Sequence, residues 1–72
     1  MKFEFWRDYK FENENDAKVF FETVKKEKNI IELDGSTVSI CITEEEHINF
    51  DAFIWENIKL WESYLGSMEL PI

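Results

Sequence analysis

The sequence predicts an α+β fold, a ferredoxin-like βαββα(β) two-layer sandwich in which a small antiparallel or mixed sheet carries two helices on one face. Three observations predict it. The hydropathy period changes between 2 and 3.6 in the order strand, helix, strand, strand, helix. An Asp-Gly pair, Asp34-Gly35, separates two β-like runs. The 72 residues include seven Phe, three Trp and two Tyr, the large side chains that a core of this size requires. A right-handed crossover after the first strand, followed by a hairpin, leads to a split β-α-β sheet. Strand order is left open by the sequence. The length is that of one domain, 1–72.

From Lys2 to Phe11 the chain alternates, with Phe3, Phe5, Tyr9 and Phe11 on one side and Lys2, Glu4, Trp6, Asp8 and Lys10 on the other. This is the pattern of a half-buried strand. Asn13 then caps a helix with first turn Glu14-Asn15-Asp16 and an apolar stripe of Ala17, Phe20, Phe21 and Val24. Lys25, Lys26 and Lys28 suit its C-terminal dipole. Ile30 to Leu33 and Ser36 to Ile42 form the hairpin, for which Asp34-Gly35 suggests a type I′ turn with positive φ at both central residues.

Thr43-Glu44-Glu45-Glu46 reads as a capping box. Asn49 or Asp51 could cap instead, leaving 44–50 irregular or extended. The second helix is expected to bury Phe50, Phe53, Ile54, Ile58, Leu60, Trp61, Tyr64 and Leu65 and to end at Gly66. In the tail Met68, Leu70 and Ile72 alternate, and Pro71 restricts any last strand to a sheet edge.

Sixteen acidic against eight basic residues give a net charge of −8. Arg7 is the only arginine and the chain has only one local basic run, which disfavours a nucleic-acid or anionic-membrane binder. No run approaches the ~20 apolar residues that span a bilayer, and the start lacks the apolar block of a signal peptide. A single cysteine, Cys41, cannot form an internal disulfide and suits a reducing compartment. A cytoplasmic protein is expected.

Core packing accounts for most apolar residues; two tryptophans fall outside it. At ~100° per residue, Trp55 lies among Asp51, Glu62, Ile48 and Lys59, off the apolar stripe. Trp6 projects from the polar side of the first strand, toward a sheet face shared with Ile30, Glu32, Thr37, Ser39 and Cys41. Charge is also uneven. Glu44, Glu45 and Glu46 are expected beside Lys25, Lys26 and Lys28, whereas the opposite pole collects Glu12, Glu14, Asp16 and Asp34, joined by Glu62 and Glu69, with Lys10 as the nearest counter-charge.

Catalytic and cofactor chemistry finds little support. Glu44, His47 and Asp51 share a helix face, but a structural zinc site wants four ligands rich in Cys or His; His47 is expected to pack against Ile42. Cys41 sits mid-strand with nothing to lower its pKa, so Cys41 and His47 make a poor nucleophile pair. Gly35 and Gly66 are isolated, so no phosphate cradle is visible. Thr37 to Cys41 offers no aromatic or basic residue for stacking RNA bases.

The expectation is therefore a non-enzymatic protein without cofactor or metal. Its acidic pole (Glu12, Glu14, Asp16, Asp34, Glu62) with Trp6 and Trp55 would bind a basic protein. A nucleic-acid-handling enzyme is the expected partner, blocked by a nucleic-acid mimic of the anti-CRISPR, anti-restriction or nuclease-immunity type. The alternative is a self-associating regulatory or scaffold module, a homodimer through the open sheet face.

Overall fold

A computed structural model describes residues 4–28 and 30–70. In chain order the elements are β1 (Glu4–Phe11), α1 (Glu14–Val24), β2 (Ile31–Asp34), β3 (Thr37–Thr43), α2 (Glu44–Glu56), α3 (Ile58–Ser63) and β4 (Tyr64–Glu69). The sheet order is β2-β3-β1-β4, with every neighbouring pair antiparallel. This is the ferredoxin-like arrangement, and it settles the strand order. Lys2, Phe3, Pro71 and Ile72 lie outside the described residues.

Period-2 alternation decides the faces of the sheet. Tyr9 and Phe11 from β1 and Val38, Ile40 and Ile42 from β3 point toward the helices and are buried. Against them pack Ala17, Phe20 and Val24 of α1, Phe50 and Ile54 of α2 and Leu60 of α3. Phe20 is the hub: its ring lies 5.1 Å from Tyr9, 5.4 Å from Phe11 and 6.3 Å from both Phe50 and Phe53, centroid to centroid. The reverse side of the sheet carries no helix. Trp6 lies there opposite Cys41, Asp8 lies between Ser39 and Met68, and the Ser39 hydroxyl donates to Asp8.

The first cap is as expected, with Asn13 Oδ1 accepting from the Asp16 amide at 2.8 Å. The lysines follow α1 rather than closing its last turn, and Lys28 Nζ reaches Glu46 Oε1 at 3.1 Å. The hairpin turn differs from the type I′ expectation. Asp34 pairs with Thr37, so Gly35-Ser36 are the central residues, and only Gly35 has positive φ (62°). Positive φ at the first central position alone is the mark of type II′, which also suits the strand twist and needs its glycine one place earlier than the I′ reading supposed.

Residues 44–50 are helical, not irregular. Thr43 Oγ1 accepts from the Glu46 amide at 3.2 Å, and Glu46 Oε1 accepts from the Thr43 amide at 3.0 Å, closing both arms of the capping box. The second helix does not run on to Gly66. It breaks at Asn57, whose backbone is extended (φ −102°, ψ 100°) and whose Oδ1 accepts from the Leu60 amide to cap α3. The expected burial of Ile58, Trp61 and Leu65 is thereby overturned, for these side chains are exposed while Leu60 and Ser63 turn inward. Gly66 instead belongs to β4. It holds φ 124° where the β1–β4 register shifts, a left-handed conformation open to glycine in a bulge.

Glu46 links cap, helix and lysine, and its titration is informative. Burial pushes its carboxyl pKa up, but the Thr43 amide and the Lys28 ammonium outweigh that and hold it below the usual value. A carboxyl lowered in the folded state stabilises above its unfolded pKa, near 4.3, and the gain is lost as pH falls through the folded value. Glu46→Gln keeps the cap geometry and removes the charge. It should unfold at lower temperature than the parent at pH 7, and the difference should shrink in thermal melts as pH falls through the lowered carboxyl value of the parent.

Candidate binding site on the α2–α3 corner

Tyr9 is on a central strand, fully buried, and its hydroxyl must find a partner because an unpaired buried hydroxyl is costly. The partner is His47, with Nδ1 2.7 Å from the Tyr9 oxygen. One turn further along α2, Asp51 Oδ2 lies 3.3 Å from His47 Nε2. The Tyr64 hydroxyl donates to Asp51 Oδ1 at 3.3 Å. Because a carboxylate only accepts, the consistent assignment places the imidazole proton on Nε2, pointing to Asp51, and lets Nδ1 accept from Tyr9. Every member is then satisfied. No buried side-chain nitrogen or oxygen among the described residues lacks a partner.

Both phenols are held neutral. Burial, followed by the negative charge of Asp51, pushes the Tyr9 pKa far above its ordinary value and moves Tyr64 in the same direction, chiefly through burial. The chain Tyr9–His47–Asp51–Tyr64 thus runs from the core to the surface and ends on a partly exposed carboxylate.

Outside that carboxylate lies a hollow of about 400 Å³ lined by Asp51, Ala52, Trp55, Trp61 and Tyr64. Its walls are aromatic. The rings of Trp55 and Trp61 meet edge to face with centroids 4.6 Å apart, and Trp61 lies 6.3 Å from Tyr64. The break at Asn57 makes this possible. On one continuous helix, residues six apart would point roughly 120° away from each other. Both indoles remain open to solvent, Trp55 at 65% and Trp61 at 45% of full exposure.

Comparison with protein families, curated proteins and solved structures finds no match. What the site can do follows from its own chemistry.

The sequence-predicted residues divide into three groups. Glu12, Asp16 and Glu62, with Asn13, Lys59 and Ser63, line a second, polar hollow of about 340 Å³ where α3 meets the start of α1. Glu14 reaches the neighbouring turn, its Oε1 3.9 Å from the position a Cβ would occupy on Gly35, beside Asp34. Glu12, Asp16 and Glu62 thus share one hollow, and the cation lining it is Lys59. Trp55 stands around the corner, joined to the pole by α3, which supplies Lys59, Glu62 and Ser63 to one hollow and Trp61 to the other. Trp6 is not brought to this surface; it faces the helix-free side of the sheet. Glu69 is also elsewhere, opposite Arg7 toward the far end of β4.

Trp61, Tyr64 and the Tyr9–His47–Asp51 chain were missed by the sequence reading. Asn57 was the available signal, since an asparagine three residues before Leu60 is a usable N-cap inside what otherwise scans as one helix. Glu44 does not join His47 and Asp51, and among the described residues no three His, Cys, Asp or Glu side chains converge on a metal position. Cys41 is a poor nucleophile, because burial and then the neighbouring Glu4 carboxylate push its thiol pKa up. No helix among the described residues is long and apolar enough to cross a membrane.

Raised phenol pKa values tie stability to alkaline pH. The folded state keeps its phenol protons where the unfolded chain releases them, so the contribution is complete below about pH 10 and is lost as pH rises above it. Tyr9→Phe leaves His47 Nδ1 without its partner and should cost about 1–3 kcal/mol at pH 7. The same variant should lose stability less steeply than the parent between pH 9.5 and 11.5 in urea titrations.

Proposed function

We propose that this protein is a small acidic binding protein that docks on a basic surface of another protein. The observation that carries the reading is the placement of α3, which sets the acidic hollow (Glu12, Asp16, Glu62) beside the exposed Trp55–Trp61 pair. Aromatic anchors bordered by charge are the usual make-up of an energetic hot spot, and the charge itself speeds encounter with an opposite surface. At the other pole Lys28 is paired with Glu46, whereas three carboxylates against Lys59 line the hollow on the α1–α3 side. A partner that handles nucleic acid fits this field, with the carboxylates standing where phosphates would bind, and inhibition by occlusion is the consequence. The lone Cys41 thiol suits a reducing compartment, which supports a cytoplasmic setting for this activity.

The test replaces Glu12 and Glu14 by Gln and Asp16 and Asp34 by Asn. Removing negative charge near the N-terminus of α1 costs about 0.3–1 kcal/mol per group at most, so the fold should survive. The parent should capture from cell lysate a basic protein that elutes at moderate salt and is displaced by added double-stranded DNA, and the variant should not. Equal capture by the variant would rule out the acidic pole as the docking surface.

The helix-free sheet face favours a second reading, self-association, because Ile30 and Met68 are half exposed there around a partly covered Trp6. Trp6→Ala should then convert a dimer to a monomer in sedimentation analysis. A parent that already sediments as a monomer at high micromolar concentration removes this reading.

A further inference from the structure

The aromatic hollow has a chemistry of its own. Among the described residues Asp51 is the only charged one lining it, and its walls are Trp55, Trp61 and Tyr64 over Ala52. An apolar occupant would leave the carboxylate unsolvated, and an anion would be repelled by it. A cation gains twice, from the negative faces of the rings and from the carboxylate. Asp51 has acceptor capacity to give: one oxygen serves His47 and the other Tyr64, each at 3.3 Å, and each retains a further lone pair.

We propose that this hollow receives an arginine side chain of the partner protein. Guanidinium is planar, stacks on aromatic rings, carries several N–H donors in one plane and is less strongly hydrated than ammonium. It can therefore use the ring walls and the Asp51 oxygens together. A lysine ammonium uses the carboxylate well but gives up more hydration, and a quaternary ammonium has no N–H to offer Asp51. The buried chain behind the carboxylate contributes positioning. Tyr9 fixes His47, and His47 with Tyr64 fixes the orientation of Asp51 before any ligand arrives.

The proposal rests on the reading of the α3 surface as a docking face for a basic protein, but it is tested without that protein. Isotope-labelled protein is titrated with acetyl-Gly-Arg-Gly-amide while the indole N–H signals of all three tryptophans are followed by NMR. Saturable shifts are expected at Trp55 and Trp61 and none at Trp6, which lies on the opposite side of the sheet. Trp55→Ala, at a side chain 65% exposed, and Asp51→Asn, which keeps an oxygen for His47, should each weaken binding about tenfold, the scale of one cation–π or charge-assisted contact.

The citrulline peptide, which has nearly the same shape and no charge, should not bind, and the lysine peptide and tetramethylammonium should bind more weakly. Absence of saturable indole shifts overturns the proposal. So does equal binding of the citrulline peptide, or tighter binding of tetramethylammonium, which would make the hollow a methylated-ammonium site. The variant neutralised at Glu12, Glu14, Asp16 and Asp34 should retain peptide binding, and its loss there would reduce the effect to diffuse charge. Peptide binding with no captured partner would leave the arginine site standing and overturn the docking reading; capture without peptide binding would do the reverse.

Discussion

The hydroxyl of Tyr9 is the constraint around which the rest of the molecule is arranged. It is a polar atom at the centre of an apolar core, on one of the two central strands, and it is tolerated only because His47 meets it. That contact fixes α2 along the sheet and determines which turn of the helix faces inward. The ring of Tyr9 also packs on Phe20 and Tyr64, so α1, α2 and β4 all register against one side chain. Since His47 is then held at both nitrogens, Asp51 at its other end is placed by the core rather than by solvent.

The break at Asn57 has a comparable reach. A straight continuation of α2 would carry Trp61 away from Trp55 and send the chain past the end of β1. By ending α2 and starting α3 with a new cap, Asn57 turns Leu60 and Ser63 inward, and the Ser63 carbonyl accepts from the Glu12 amide at 2.8 Å. The chain then enters β4 at Tyr64, within reach of Asp51. Ile58, Trp61 and Leu65 stay outside as the consequence. What reads in the sequence as one helix is thus two, and Trp61, expected in the core, borders a hollow.

Electrostatics follows the same geometry. Capping accounts for Glu46, whose charge is shared between the Thr43 amide and Lys28. Glu14 and Asp16 favour the start of α1 through the helix dipole, and Asn13 Nδ2 donates to Asp16. Glu12 and Glu62 have no such local reason. They come from distant parts of the sequence and meet only because α3 packs near the start of α1, which makes their juxtaposition a property of the surface rather than of either helix.

The sequence alone determined the first four elements, the α1 cap at Asn13 and the choice of helix-facing side chains on β1 and β3, and it offered the capping box at Thr43 as one of the possible starts of α2. These depend on period and on neighbours a few residues apart, which a linear chain displays. It also placed Trp55 outside the core; the pole expected for Glu12, Glu14, Asp16 and Asp34 rested on a strand order that the structure supplies. Only the tertiary structure decided the type II′ turn, the break at Asn57, the exposure of Trp61 and the partnership of Tyr9 with His47, Asp51 and Tyr64. Each turns on contacts between residues far apart in the chain, or on a competition between two acceptable local conformations that packing resolves. Asn57 could sit within a helix or cap a new one. The burial of Leu60 and the pairing of β4 with β1 select the cap, and with it the aromatic hollow.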